Sequence, residues 1–282
     1  QGIGADLIDE TDAAAFLTQR AAAWQAFYEN MPLRATALAG AQFDRLQVYR
    51  RLPWGRLAQL HLLDDRQHRA LQACRKPGAT NAGSVRPADC AELADPTRSL
   101  LGPAQEQWLD AGLAADAKND HTRWSVLAQQ TLFSPRRYPS GQVATDGWDG
   151  YPAARERLLQ SVQRHSPRNT VLLGGDIHQN YVCNVHAPGA DGDRPVLASE
   201  FCGTSISSRA GTTQDKVDAI ARHNPHVLLA RCEERGYGLA DITPEQWTTT
   251  LRAVDNPLDP HSSAHTLARF VVQDRKPGPV RA

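Results

Sequence analysis

A chain of 282 residues, 41% of them hydrophobic, suits one large α/β domain or two small ones with a sizeable core. Lysine plus arginine and aspartate plus glutamate both number 31, so the formal charge is zero. That excludes the basic excess of a nucleic-acid or anionic-membrane binder. No apolar run approaches the roughly 20 residues of a membrane helix.

The first twelve residues, QGIGADLIDETD, carry neither the charged nor the apolar region of a signal peptide. They read as the start of a processed chain or of a fragment. Thr11 and Asp12 are placed to cap a helix running to Asn30, with Phe16, Trp24, Phe27 and Tyr28 as its apolar stripe and Pro32 beyond its end. RLAQLHLLD (56–64) reads as a buried strand finishing on an acid, followed by a loop holding Arg66, Gln67 and Arg69. Cys74 and Cys90 flank a loop dense in Pro, Gly, Asn and Ser. Such a loop gains most from a disulfide clip, which points to an oxidising compartment. Two unpaired loop thiols are the alternative; neither cysteine has a C-x-x-C partner for zinc.

Farther along, PAQEQWLDAGLAADAK (103–118) is a helix with proline in its first turn, and WSVLAQQ (124–130) a short strand ending in two amides. The second half of DGWDGYPAARERLLQSVQRH is a helix facing Leu158, Leu159 and Val162 inward. TVLLGGD (170–176) is the clearest strand; YVCNVH and PVLASEF follow. GYGLADI, Trp247 to Val254 and LARFVVQD read as successive strands of an antiparallel edge. Helices alternate with strands early and strands dominate late, which predicts a layered α/β domain without a linker.

Gly174-Gly175-Asp176-Ile177-His178 is the strongest local signal, because functional residues of open α/β sheets sit beyond the carboxyl ends of strands. The glycines let the backbone pass close to something bulky or charged. On an extended backbone Asp176 and His178 project to one side, as a metal-ligand pair or an acid/base pair. Alternatively, Asp176 caps a turn and His178 is an ordinary polar residue. Gln129-Gln130 reads as turn residues or as a neutral oxygen ligand suited to Ca²⁺ or Mg²⁺. Trp148-Asp149-Gly150-Tyr151 reads as a substrate-lining loop or as a loop anchored on the core by its tryptophan. GTSISS (203–208) lacks the elbow of a serine hydrolase, and Gly2-Ile3-Gly4 is no dinucleotide fingerprint. His223 and His226, in HNPH, read as surface-loop histidines or as ligands, and His261 and His265 as loop residues.

Taken in order, these segments resemble the catalytic domain of PhoD-type alkaline phosphatase/phosphodiesterases. GDIH and WDGYPAAR are the specific ones, and eight others, from AAAWQAFYENMPLR to ITPEQW, stand in the family's order. The resemblance implies a metallophosphatase-like four-layer α/β/β/α sandwich with an Fe³⁺ and Ca²⁺ centre, hydrolysing phosphate esters through a metal-activated water. It implies metal ligation by Asp176, His178 and Gln130, with Trp148 and Asp149 near the substrate. It also implies a secreted or periplasmic bacterial enzyme with no nucleic-acid scaffold and no membrane span. The family's remaining ligands, a cysteine, a G-D-Y strand end and a D-D-H-E segment closing with asparagine, are absent. QGIGADLIDETD resembles the stretch just after that segment. The expectation is therefore one domain over 1–282 lacking its N-terminal strands, weak or inactive unless an upstream polypeptide completes the site. A non-catalytic fragment or subunit that keeps the fold is the alternative, and a sugar- or phosphate-binding module is a third reading.

Overall fold

The computed structural model describes residues 13–33, 43, 46–76, 79, 83–119, 122–189 and 194–282. Thr11, Asp12 and the rest of QGIGADLIDETD lie outside the described residues. The first helix, α1 (Ala13–Asn30), stops at the expected residue. It reaches the centre of the molecule through Arg20, which donates to the Gln67 side chain at 3.2 Å.

β1 (Arg50–Trp54) pairs antiparallel with β2 (Ala58–Leu62). Next come a two-residue strand β3 (Ser84–Val85), α2 (Pro103–Lys118) and β4 (Trp124–Ala128). β5 (Val143–Ala144), α3 (Pro152–His165) and β6 (Thr170–Gly174) follow. β2, β4 and β6 lie side by side and parallel. Parallel neighbours need a long crossover, and α2 and α3 each supply one. Both helices begin on proline, whose missing N–H leaves no partner wanting at the first helical position. β7 (Asn180–His186), β8 (Val196–Cys202), α4 (Gln214–His223) and β9 (Val227–Arg231) finish a seven-stranded mixed sheet of order β1-β2-β4-β6-β8-β7-β9.

The two faces of this sheet are apolar, as expected where both are covered. On one, Leu127, Leu172 and Val185 pack against Leu109 and Leu113 of α2 and Leu158 and Val162 of α3. Tyr181, Cys183 and Cys202 on the same face meet Val217 of α4. On the other, Trp124, Val126, Val171, Val182 and Phe201 face a second sheet. That sheet is β10 (Arg235–Ile242), β11 (Gln246–Val254), β12 (Ala264–Gln273) and β13 (Lys276–Arg281), an antiparallel meander. The tail is thus not an edge of the main sheet but a layer packed on it. Trp247, Leu251, Phe270 and Val272 give it an apolar face, and Trp124 and Trp247 meet at 5.9 Å between ring centres. The described elements build three layers: helices, large sheet, small sheet.

Cys74 and Cys90 form the expected disulfide. It sits in a small cluster with Ala73, Leu93 and Val143, and the loop it closes carries β3, which pairs with β5. The clip thereby fixes the chain just ahead of Asp146. Cys183, Cys202 and Cys232 are free thiols buried in the core.

Candidate active site at the strand ends

The carboxyl ends of β2, β4 and β6 open onto one crevice, the place where parallel sheets present side chains to a ligand. β2 continues into Leu63-Asp64-Asp65-Arg66. Asp64 is buried and structural: its Oδ1 accepts the Arg66 and Gln67 amides at 3.0 Å, and its own N–H donates to Gln105 at 2.8 Å. Asp65 is fully buried and locked reciprocally to β4. Its N–H donates to Gln130 Oε1 at 2.7 Å, and the Gln130 N–H donates to Asp65 Oδ2 at 3.1 Å. The other carboxylate oxygen, Oδ1, has no hydrogen-bond partner among the described residues. Burial pushes the Asp65 carboxyl up to about 7, against the Gln130 N–H and the Arg66 charge, which pull it down.

Arg66 spans two carboxylates, meeting Asp146 Oδ2 at 3.0 Å and Asp176 Oδ1 at 3.1 Å. Asp146 also receives Arg69 at 3.0 Å and the Gln72 amide at 2.7 Å. Burial pushes its carboxyl up, but the two guanidiniums outweigh that and hold it below the ordinary range. Asp65, Arg66 and Asp146 are the site residues that sequence reasoning passed over. The signal for the first two was an acid pair at a strand end, read only as the start of a loop.

Asp176 and His178 follow β6 as expected, but not on an extended backbone. Their φ angles are 70° and 55°, in the left-handed region that non-glycine residues enter at a cost of order 1 kcal/mol. The turn sends the two side chains to different partners. The Asp176 carboxylate, 44% exposed, goes to Arg66, while His178 Nδ1 bonds the Arg209 carbonyl at 2.9 Å. The hydroxyl of Thr204, just beyond β8, and buried Arg235 both donate to the His178 carbonyl, at 3.2 and 3.3 Å, and so hold the turn. Gly174 needs its bare Cα because the Thr131 carbonyl occupies the space a Cβ would take. The bulky neighbour anticipated there is backbone.

Gln130 stands at the end of β4, yet its amide is turned inward: Nε2 donates to the Leu63 carbonyl at 2.7 Å while Oε1 accepts from Asp65. Gln129 is likewise engaged, accepting the Thr131 N–H at 3.0 Å and the Trp148 indole N–H at 3.1 Å. Trp148 is buried against Phe133, which is the core-anchor alternative for that loop. Asp149 pairs with Arg155 at 2.5 Å and accepts the Arg136 N–H at 2.9 Å. Trp148, Asp149, Asp146 and Asp176 nonetheless share a cavity of about 130 Å³. His178 and Gln130 are not part of its lining. A larger cavity of about 380 Å³ lies between α2 and α3 and includes none of the expected site residues.

The described residues do not by themselves fit a metal ion. No three histidine, cysteine, aspartate or glutamate side chains among them stand close enough to hold one. Asp176 is occupied by Arg66 and the Gln130 amide by backbone, while Asp65 Oδ1 is a buried carboxylate oxygen without a hydrogen-bond partner among the described residues.

The fold and site together define an α/β-sheet protein with acids and amides gathered at the ends of its parallel strands. Residues 4–251 match the PhoD-like phosphatase family, and the chain belongs to that family. It is 37% identical over 270 residues to alkaline phosphatase D of Bacillus subtilis (strain 168), covering 94% of this chain and 44% of that protein. A solved structure of PhoD superposes with a TM-score of 0.83 at 35% identity, over 96% of this chain and half of the other. The chain therefore spans about half the length of the relatives it matches.

Proposed function

We propose that this chain is a part of the catalytic domain of a metal-dependent phosphoester hydrolase acting on phosphate mono- or diesters at alkaline pH. The carrying observation is the family match over residues 4–251, which includes all three strand ends of the crevice. In this reading Asp176, His178 and Gln130 belong to a centre of Fe³⁺ and Ca²⁺, the ions the family resemblance implies, and Trp148 and Asp149 lie near the ester. Ligands beyond the described residues complete that centre, and a fourth, helical layer completes the sandwich of the whole protein. The disulfide supports an extracytoplasmic setting. Within the chain, Arg66 bridges Asp146 and Asp176 and Arg69 adds a second cation at Asp146, so that the two guanidiniums hold the Asp146 carboxyl below the ordinary range.

Phosphate release from p-nitrophenyl phosphate, with added iron and calcium and with chelator, tests this. The expected result is slow, chelator-sensitive release that falls to background in Asp176→Asn, with the folding stability changed by no more than the ~1 kcal/mol of a half-exposed ion pair. Absence of chelator-sensitive release at any ion concentration supports the second reading, a fragment that keeps the fold without the activity.

A further inference from the structure

The cavity beside Asp176 has an imbalance of charge. Three carboxylates line it, and each is met by arginine: Asp146 by Arg66 and Arg69, Asp149 by Arg155, Asp176 by Arg66. One guanidinium lines it too, that of Arg136, and no carboxylate among the described residues pairs with it. It donates to the Tyr138 hydroxyl at 3.2 Å, lies 5.6 Å from the centre of that ring, and also reaches towards the buried Tyr181 hydroxyl, so its neighbours are neutral phenols. A half-buried cation facing a cleft without a carboxylate partner is a place for an anionic group of a ligand.

The wall carrying Arg136 is rigid. Leu132 and Arg136 line this cavity, Phe133, Pro135 and Arg137 line another, and Ser134 lies between the two and lines both. Buried Glu200 takes the N–H groups of Phe133 and Ser134 at 2.6 and 2.8 Å, Asp149 takes that of Arg136, and Asn224 that of Arg137 at 3.1 Å. Little ordering of the backbone is left for a ligand to impose. At about 130 Å³ the cavity has room for roughly four waters of ~30 Å³ each, enough for a carboxylate or phosphate on a short carbon stem.

We propose that Arg136 is a specificity residue, selecting phosphate esters whose alcohol portion carries a second, compact anionic group. This rests on the hydrolase reading for where the ester lies, beside Asp176.

The test compares 2-phosphoglycolate with ethyl phosphate, in which a methyl group stands in place of the carboxylate. Calorimetric titration of the whole chain at pH 7.5 and low ionic strength gives the ratio of their affinities, for the wild type, Arg136→Gln and Arg136→Lys. The expected ratio is about tenfold in favour of 2-phosphoglycolate in the wild type, the scale of a charge-assisted hydrogen bond. It falls to near one in Arg136→Gln and to an intermediate value in Arg136→Lys. A wild-type ratio near one, a ratio that survives in Arg136→Gln, or no measurable binding of either compound overturns the proposal. Phosphate release in the same samples, measured after iron and calcium are added, separates the two ideas. Preference without release removes the hydrolase reading and leaves the subsite; release without preference does the reverse.

Discussion

Asp65 shows how burial and a strand end act on a single side chain. Its carboxyl is enclosed, one oxygen is held by the Gln130 N–H, the other has no partner among the described residues, and its folded-state value is about 7 against an ordinary 3.8. Between those values the folded chain binds a proton that the unfolded chain has lost. This group's contribution to stability is therefore present below about pH 4 and is lost as pH rises to about 7. In the metal-free chain, the difference in melting temperature between wild type and Asp65→Asn is expected to shift against the wild type over that interval and level off above it. A difference that is constant, or that moves in the wild type's favour, would show that the carboxyl titrates as if exposed. The sequence marks this residue only as one of two acids ending RLAQLHLLDD; which of the two is orphaned depends on how Gln130 turns, and no local pattern encodes that.

Among the elements, the docking of the small sheet depends on its last turn as well as on its apolar face. Asp274, between β12 and β13, accepts from Arg168 at 2.8 Å and from the Asn169 amide at 2.6 Å, just before β6. The Arg168 hydrogen bond, followed by that of Asn169, holds its carboxyl down to about 2 despite some burial. Here the sign is the opposite: the stabilisation is present above about pH 4 and lost as pH falls towards 2. Asp274→Asn is expected to cost about 1 kcal/mol at pH 7, read as a lowered denaturation midpoint, and clearly less at pH 3. An equal cost at both would assign the effect to packing and not to charge. The long-range partner, 106 residues away, explains why the tail looked like a sheet edge in sequence. Alternation identifies β11 and β12 as strands with one apolar face, but not which surface that face covers. α2, by contrast, was legible to the residue because Pro103 marks its start. α4 was missed although Val217 and Ile220 three apart signal its buried stripe, since attention in that stretch fell on the histidines of HNPH.

For the whole molecule, the family and the parallel-strand core were legible because GDIH and WDGYPAAR sit on elements whose apolar runs are unambiguous. The site was legible only as to location. Residues 174–178 do mark the crevice, but the left-handed turns at Asp176 and His178 and the inward turn of the Gln130 amide depend on Arg66, Arg209 and Leu63, which come from other parts of the chain. The described residues offer too few convergent ligands for a metal ion, while the relatives that the chain matches are about twice its length. Elemental analysis of the purified chain after equilibration with iron and calcium tests the resulting account most directly. Well under one ion of each per chain is predicted, with phosphate release that is weak and proportional to the metal retained. Stoichiometric iron and calcium held through dialysis, with full phosphatase turnover by the chain alone, would contradict it.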